Sequence, residues 1–282
     1  MTGDVNVGRT MEMERKKLRL VVKVGTSTLT HDSGSLDMRS MERLARTLAD
    51  LHGLGHEVIL VSSGAIAVGT AKLGLAERPR ELRMKQAAAA VGQCRMMHIY
   101  DKLFAEYNQS VAQILLTGDD VEDPVRAEHL RGTFSALLSM GVIPVVNEND
   151  SVSSAEIETG HHKVLGDNDT LSALVAGLCQ ADLLILLSDI DGLYSADPKT
   201  HPDAKLLHRV AELTPEVLEM AGGAGTWRGT GGMATKLSAA RVAMAAGFDM
   251  VITNGARMED LYGIVEGRDV GTRFVAGGKG SS

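Results

Sequence analysis

Short apolar runs without regular polar alternation recur along this chain, and segments with helical periodicity separate them. The strand-like runs occupy residues 18–24, 58–61, 111–116, 142–146, 183–187 and 250–253. Strands of this kind are buried on both faces, which is typical of a parallel sheet covered by helices. The pattern therefore predicts an α/β fold, namely a three-layer α/β/α sandwich around a mainly parallel sheet.

The helical segments between these runs carry apolar residues three or four positions apart. They occupy residues 38–52, 81–107, 125–140, 169–178 and 233–246. Residues 221–232 are rich in glycine, and we expect them to form a mobile loop ahead of the last helix. Because no repeat or linker divides the chain, we expect one domain over 18–275, an N-terminal extension over 1–17 and a tail over 276–282.

Composition restricts the class of protein further. The chain has 282 residues, a formal net charge of −7 and 44% hydrophobic residues, as an ordinary globular protein has. No apolar run reaches the roughly 18 residues of a membrane span, and the N-terminus lacks the apolar core of a secretory signal. Cys94 and Cys179 stand alone, so we expect a reducing compartment and a cytoplasmic protein without a membrane partner. The acidic balance and 3% aromatic residues argue against a nucleic-acid partner.

Two predicted strands end in loops that are suited to bind an anion. Lys23 lies at the end of the first strand just before Gly25, and Ser63 and Gly64 follow the second strand. Ligands collect at the carboxyl ends of parallel strands, and backbone amides at a helix N-terminus hold phosphate or carboxylate groups. Taken by itself, however, Lys23 is better interpreted as a strand-end lysine in solvent.

Two clusters of acidic and amide residues lie at 147–150 and at 167–169. Such residues at a helix start are normally caps, which accounts for one or two of these positions but not for two clusters. Their carboxylates can receive a substrate ammonium group, align lysines or act on a metal ion through water. The residues alone leave these three roles open.

A glycine-rich loop precedes the last predicted helix, and Lys236 lies in the first turn of that helix. Glycines allow nucleotide phosphates to approach closely, backbone amides hold their oxygens and the lysine neutralises charge. We expect a lysine at this helix start to lie outside the core. The loop lacks the preceding strand that a dinucleotide fingerprint requires, and the chain contains no Walker A motif.

Residues 183–198 combine a buried strand with polar residues at its end. Ser188 and Asp189 follow the apolar run, and a turn signal follows at Asp191 and Gly192. Taken alone, this segment is compatible with a plain β-hairpin.

Seven motifs, in this order, resemble those of the glutamate 5-kinases in the amino-acid kinase family: VVKVGTS, VSSGAIAVG, QAAAAVGQ, NENDSV, GDNDTLSA, LSDIDGLYSADP and GTGGMATKLSAA. The resemblance extends from about residue 17 to residue 273. NEND, GDND and GTGGMATK are highly specific in combination. The resemblance implies the amino-acid kinase fold.

The resemblance also implies roles for individual residues. Lys23 and Lys236 match the catalytic lysines that neutralise the transferring phosphoryl group, and Asp169 matches the aspartate that holds both lysines. The positions implied to bind glutamate are Ser63, Asp150 and Asn168. The positions implied to bind the nucleotide are Lys23, Ser188, Asp189, Thr230, Gly231, Gly232, Met233, Ala234, Thr235 and Lys236. No protein side chain is assigned to a metal ion, because Mg²⁺ is carried by ATP.

The activity that the resemblance implies is ATP-dependent phosphorylation of the L-glutamate side-chain carboxylate to L-glutamyl 5-phosphate, the first step of proline biosynthesis. Residues before about 180 would bind glutamate, and residues after it would bind ATP with Mg²⁺. A homo-oligomer, dimer or tetramer, and feedback inhibition by proline are implied as well. We expect a short form without the C-terminal PUA domain that many bacterial members carry. The sequence also departs from the family pattern in a longer loop over 153–165 and in Leu165, where phenylalanine is common.

Alternatives of two classes stay open. Acetylglutamate kinase and aspartokinase share the fold, but NEND and GDND favour free glutamate as the acceptor. A UMP kinase would require basic residues around its nucleotide pocket, and the acidic clusters argue against it. A non-catalytic sensor of an amino acid or a nucleotide is disfavoured because Lys23, Asp169 and Lys236 are all present.

Overall fold

The computed structural model describes residues 16–153, 167–198, 200–220 and 232–277, and the described strands form one sheet. These strands are β1 (Arg19–Val24), β2 (Glu57–Ser62), β3 (Val111–Leu116), β4 (Ile143–Glu148), β5 (Leu183–Ser188), β6 (Arg209–Val210), β7 (Asp249–Asn254) and β8 (Thr272–Phe274). Their order across the sheet is β3-β4-β2-β1-β5-β7-β8-β6. The first strand of the chain therefore lies near the middle of the sheet.

The sheet is mainly parallel, as predicted. Strand β1 pairs in parallel with both β2 and β5, and β7 continues the parallel order beyond β5. Only the β7–β8 pairing among the described strands is antiparallel. Because β5 pairs with β1 and β7, the hairpin interpretation of residues 183–198 is wrong for this strand. A single antiparallel bridge joins Tyr194 to Leu206 beyond it.

Helices cover both faces of the sheet. They are α1 (Thr26–Leu29), α2 (Met38–Gly53), α3 (Ala65–Lys72), α4 (Leu82–Ala105), α5 (Gly118–Glu122), α6 (Pro124–Ser139), α7 (Asn168–Leu178), α8 (Pro215–Met220), α9 (Met233–Ala246) and α10 (Asp260–Val265). Successive residues of β1 point to opposite faces, so Val21 belongs to an apolar cluster that includes residues of α6, α7 and α9, while Val22 belongs to one that includes residues of α2, α4 and α10. Both residues are fully buried, which confirms the three-layer α/β/α prediction.

Acidic caps begin several of these helices. The carboxylate of Asp37 accepts backbone N–H groups at the start of α2, and Asp123 does the same ahead of Pro124 in α6. Asp167 caps α7 by accepting the backbone N–H of Thr170 at 2.8 Å. Capping therefore explains one residue of the acidic cluster at 167–169, as expected for a helix start.

Helices α3 and α4 pack with their backbones in contact. A Cβ atom at Gly69 would lie 1.7 Å from the carbonyl oxygen of Ala88, and one at Gly92 would lie 1.8 Å from that of Ala65. No side chain fits at either glycine without moving a helix. This contact fixes the start of α3 and the middle of α4 next to the carboxyl end of β2.

The remaining predictions can be compared with the structure only where they fall on the described residues. No helix in them is both long and apolar enough to cross a membrane. The glycine-rich loop predicted over 221–232 lies outside them except for Gly232, and the longer loop over 153–165 lies outside them except for Ser153. The extension over 1–17 and the tail over 276–282 are also described only in part.

Candidate active site

Functional side chains gather where the parallel strands end. Lys23 lies in β1, Ser63 follows β2, Asn147 lies near the end of β4 and Ser188 ends β5. These four strands are neighbours in the sheet and run in the same direction, so their carboxyl ends share one edge. Helix α7 brings Asn168 and its neighbours to the same edge.

A buried lysine–aspartate–lysine cluster lies at the centre of this edge. The Nζ atom of Lys23 lies 2.5 Å from Oδ1 of Asp169, and the Nζ atom of Lys236 lies 3.2 Å from Oδ2. The hydroxyl of Thr235 donates a hydrogen bond of 2.8 Å to the same Oδ2 atom. Residues from β1, α7 and α9, far apart in sequence, thus meet around one carboxylate.

Two expectations about the lysines are wrong. Lys23 is only 8% exposed, although the strand end taken by itself favoured a lysine in solvent. Lys236 is 9% exposed, although we expected a lysine at that helix start to lie outside the core. A buried ammonium group requires a partner, and the ionised carboxylate of Asp169 supplies it to both lysines.

The charge state of Asp169 follows from these partners. Burial by itself would raise the pKa of Asp169, but the ammonium groups of Lys23 and Lys236 and the hydrogen bonds to them and to Thr235 hold it below its ordinary value. The carboxylate is therefore ionised at neutral pH. The cluster carries two positive charges and one negative charge, and so one net positive charge at this edge.

Next to the cluster lies an open cleft of about 800 Å³, which contains the three predicted glutamate-binding residues. Ser63, Asp150 and Asn168 line it together with the start of α3 and residues from the segment between α3 and α4. Asn168 and Asp169 are adjacent in sequence, so α7 connects the cleft directly to the lysine cluster. The structure therefore brings the predicted acceptor residues and the predicted catalytic residues side by side.

The amide of Asn168 is held by three groups of the protein. Its Nδ2 atom lies 2.9 Å from the carbonyl oxygen of Ser62, 2.7 Å from Oγ of Ser63 and 3.1 Å from Oδ1 of Asn147. Asn147 is buried and also donates a hydrogen bond of 2.9 Å to Oε1 of Gln93 in α4. An amide network thus extends from α4 to the wall of the cleft.

Asp150 has the opposite electrostatic environment from Asp169. Burial and the neighbouring carboxylate of Glu148 raise the pKa of Asp150 to about 6, against a smaller lowering effect of Arg78. Asp150 therefore carries its charge at neutral pH, and among the described residues Arg78 offsets the effects of burial and of Glu148 only in part. A bound ammonium group would supply the missing counter-charge.

Of the residues predicted to bind the nucleotide, Lys23, Thr235 and Lys236 belong to the cluster itself, and others lie at the end of β5 and at the start of α9. Ser188 is buried at the end of β5, and its hydroxyl donates a hydrogen bond of 3.0 Å to Oδ1 of the exposed Asp189. Gly232 has a φ of 79° and is the N-cap residue of α9, so it offers no side chain to cap the backbone N–H groups there. Met233 and Ala234 begin this helix, whereas Thr230 and Gly231 lie outside the described residues.

Sequence reasoning missed Arg78 and Gln93 of the site, and it included Asn147 only as a member of the cluster at 147–150, without a role of its own. Arg78 lines the cleft, but it is exposed in an irregular segment whose sequence shows no pattern. Asn147 is the first residue of the NEND cluster, and its position at the end of a buried strand was the available signal. Gln93 ends the QAAAAVGQ motif. A glutamine amide is unusual on the buried face of a helix, and this was the available signal.

The described residues contain no group of three or more histidine, cysteine, aspartate or glutamate side chains arranged to hold a metal ion. Both oxygens of Asp169 are already engaged by lysines. A magnesium ion usually keeps several waters and binds through one or two carboxylates plus substrate phosphates.

The fold and the site define a class of phosphoryl-transfer protein, in which two lysines and an acceptor cleft meet at the carboxyl edge of a parallel sheet. The profile of the amino acid kinase family matches residues 18–254, and the chain belongs to this family. Solved structures agree at the level of the fold. UMP kinase from Bacillus anthracis has a TM-score of 0.63 at 16% identity over 93% of this chain and 98% of its own. Carbamate kinase from Giardia lamblia bound to AMP-PNP has a TM-score of 0.63 at 18% identity over 93% and 99%.

Closer relatives are glutamate 5-kinases. The enzyme of Clostridium perfringens is 54% identical over 258 residues, which cover 92% of this chain and 95% of that enzyme. The enzyme of Clostridium tetani is 52% identical over 271 residues, covering 94% and 99%. That of Listeria innocua is 50% identical over 265 residues, covering 94% and 95%.

Proposed function

We propose that this protein transfers the terminal phosphoryl group of ATP to the side-chain carboxylate of L-glutamate, giving L-glutamyl 5-phosphate in the first step of proline biosynthesis. The observation that carries the proposal is the buried cluster of Lys23, Asp169 and Lys236 next to a cleft that contains the carboxylate of Asp150. Identities of 50–54% to glutamate 5-kinases over more than nine-tenths of the chain support it.

In this proposal the cleft binds the amino acid. The carboxylate of Asp150 receives the substrate ammonium group, and Asn168 and Ser63 bind polar groups beside it. The side-chain carboxylate of glutamate then points along α7 toward the lysine cluster. A four-carbon acceptor such as aspartate would fall short of the cluster by one methylene when its ammonium group is on Asp150.

The proposed reaction requires no general base. A glutamate side chain has a pKa of about 4.3, so its oxygen is already a nucleophile at neutral pH. This oxygen forms a bond to the terminal phosphorus, the bond from that phosphorus to the bridging oxygen breaks, and ADP leaves. The difficulty is the approach of an anion to a polyanion, and Lys23 and Lys236 neutralise the charge on the transferring group. Asp169 holds both ammonium groups in place.

We further propose that the part of the chain after about residue 180 binds the nucleotide. Ser188, Asp189 and the loop that ends at Lys236, with Thr230 to Thr235, would surround the phosphates and the base. The uncapped N–H groups at the start of α9 favour a phosphate there. Mg²⁺ would enter with ATP and supply charge neutralisation on the phosphate oxygens.

The family resemblance supports three further proposals about the protein in the cell. We infer that it acts in the cytoplasm, that it forms a homodimer or homotetramer and that proline inhibits it. The same resemblance supports one domain over 18–275 with the amino-acid site in its first part. The location, the oligomeric state and the extent of the domain can be tested independently of the reaction, whereas inhibition by proline is measured on the reaction itself.

The reaction is tested by trapping the acyl phosphate with hydroxylamine. Purified protein with MgATP would be given glutamate, N-acetylglutamate or aspartate in parallel, with a reaction without acceptor as the blank. We expect hydroxamate with glutamate and at most a few per cent of that rate with the other two. Product with another acceptor only would refute the substrate, and a folded protein that binds ATP but forms no product with any acceptor would support a sensor instead.

A further inference from the structure

Gln93 is a buried amide on a helix face that is otherwise apolar. It lies in the middle of α4 and is 9% exposed, between the buried side chains of Ala89 and Met96. Burying a polar amide opposes folding unless hydrogen bonds compensate it. Its Oε1 atom accepts the hydrogen bond from Nδ2 of Asn147 at 2.9 Å, so its partner is a residue of the cleft rather than another core group.

Backbone groups determine which way each amide of this network points. The backbone N–H of Glu148 donates to Oδ1 of Asn147 at 2.9 Å, and an N–H group can only donate. The Nδ2 atom of Asn147 must therefore face Gln93, whose oxygen accepts. In the same way, the carbonyl oxygen of Ser62 can only accept, so it requires Nδ2 of Asn168 to face it.

This order of donors and acceptors orients the carbonyl oxygen of Asn168. Its Nδ2 atom is directed at Ser62, Ser63 and Asn147, and an amide is planar, so Oδ1 points away from these groups. Asn168 and Asp150 both line the cleft. An ammonium group bound to Asp150 would find Oδ1 of Asn168 as a second acceptor.

We propose that Gln93 is a positioning residue for the amino-acid substrate: through Asn147 it holds the amide of Asn168 so that its carbonyl oxygen is presented to the substrate ammonium group. The inference rests on the proposed function. Without the oxygen of Gln93, the buried Nδ2 atom of Asn147 loses its acceptor, while the backbone N–H of Glu148 still holds Oδ1 on its own side. We expect the Asn147 side chain to shift toward another acceptor, which loosens its contact with Nδ2 of Asn168 and so disturbs the amino-acid side of the cleft.

The test compares Gln93→Met with the wild-type protein in the hydroxamate assay. Methionine keeps the length of the side chain but cannot accept the hydrogen bond. We expect the KM for glutamate to rise 10- to 100-fold, while the KM for ATP stays within twofold. Gln93→Glu retains an acceptor oxygen at the same place, and we expect it to keep the KM for glutamate within about threefold of the wild-type value.

Two controls separate positioning from packing. Ile99→Val removes one buried methyl group from the same helix without touching the amides, and we expect it to lower the melting temperature but leave both KM values unchanged. In an Asn147→Ala background, Gln93→Met should change the KM for glutamate by less than twofold, because its effect passes through Asn147. If Gln93 only supported packing, Gln93→Met would change the KM for glutamate equally in the wild-type and Asn147→Ala backgrounds.

The outcomes also distinguish this inference from the proposed function. Activity of the wild-type protein with glutamate, combined with an unchanged KM in Gln93→Met, would overturn the role of Gln93 alone. An equal rise in both KM values, or a full effect in the Asn147→Ala background, would overturn it too. The same holds if Gln93→Glu loses as much affinity for glutamate as Gln93→Met. Wild-type protein that forms no product from glutamate would overturn both proposals.

Discussion

Asp150 and Asp169 lie at the same edge of the sheet, yet their neighbours shift their pKa values in opposite directions. Burial acts to raise the pKa of both carboxyls. Asp169 has two ammonium groups within 3.2 Å, which hold its pKa below the ordinary value. Asp150 has the carboxylate of Glu148 beside it, and its pKa is raised to about 6.

The difference shows that Asp169 has cationic partners within the protein, whereas Asp150 is suited to bind a cationic group of a substrate. Asp169 already has its partners without substrate, so in the proposed reaction it holds Lys23 and Lys236 where the phosphoryl group is transferred. Asp150 is ionised at neutral pH with only partial compensation from Arg78 among the described residues, and in the proposed reaction it receives the ammonium group. We therefore expect substitutions in the cluster to lower kcat, and substitutions in the cleft to raise the KM for glutamate.

The largest expected effect is that of Lys236→Ala on turnover. Loss of one neutralising cation should lower kcat by roughly 10²- to 10⁴-fold, because the charge of the transferring group loses half of its side-chain compensation. The KM for glutamate should change by less than about threefold. Steady-state hydroxamate assays at saturating ATP measure both quantities.

Lys236→Arg is the matched control for charge. It keeps the positive charge but replaces a compact ammonium group with a larger, planar guanidinium group. Because the site is buried, we expect partial activity at most. Lys236→Ala should remain folded, since Asp169 keeps Lys23 and Thr235 as partners. Circular dichroism checks this, and a normal kcat in folded Lys236→Ala would remove the residue from the reaction.

Asp150→Asn should have the next largest effect, on substrate affinity. The amide cannot provide the charge that an ammonium group requires, and a hydrogen bond to a charged group contributes about 1.5–3 kcal/mol. The KM for glutamate should therefore rise roughly 10- to 100-fold, with kcat at saturating glutamate within about fivefold. Initial rates over a wide range of glutamate concentration test this, and an unchanged KM would place the ammonium group elsewhere.

The pH dependence of glutamate use should follow Asp150. With a pKa raised to about 6, Asp150 loses its charge as the pH falls through 6, so kcat/KM for glutamate should fall about tenfold per pH unit below that value. The side chain of free glutamate has a lower pKa of about 4.3, so its protonation does not explain a fall in kcat/KM that begins near pH 6. Rates from pH 5 to 8 measure the profile. The step should be absent in Asp150→Asn, and its persistence there would assign it to another group.

Ser63→Ala should have the smallest effect. The hydroxyl oxygen is one of three groups that face Nδ2 of Asn168, and the other two remain. A neutral hydrogen bond contributes about 0.5–1.5 kcal/mol, which corresponds to a rise of roughly 2- to 10-fold in the KM for glutamate. A rise as large as that in Asp150→Asn would show that the hydroxyl of Ser63 contributes as much to glutamate binding as the charge of Asp150, and would contradict this order of effects.

Local sequence patterns predicted most of the fold. The runs around Val21 and Val22 lack polar alternation, and this property alone indicates burial on both faces. Strands β6 and β8 have two and three residues, too few for a period, and were not predicted. The close packing at Gly69 and Gly92 was not predicted either, because a glycine in a helical segment does not show which backbone approaches it.

The site was predictable as a set of residues but not as a geometry. Motif order identified Lys23, Asp169 and Lys236, whereas their burial depends on contacts across 146 and 67 positions of sequence. Lys23 taken alone was therefore misjudged as a lysine in solvent. Arg78 could not be predicted for the same reason. It is an exposed arginine in an irregular segment, and its effect on the pKa of Asp150 depends on the fold that brings both residues to the cleft.

Direct binding of glutamate to Lys236→Ala and Asp150→Asn tests the separation of the two carboxylates most directly. Titration calorimetry with a non-hydrolysable ATP analogue present would measure the Kd for glutamate in both variants and in the wild-type protein. We expect Lys236→Ala to bind glutamate within about threefold of the wild-type Kd although its kcat is low. We expect Asp150→Asn to bind glutamate at least tenfold more weakly than the wild-type protein. Equal loss of glutamate affinity in the two variants would contradict the separation of cleft and cluster.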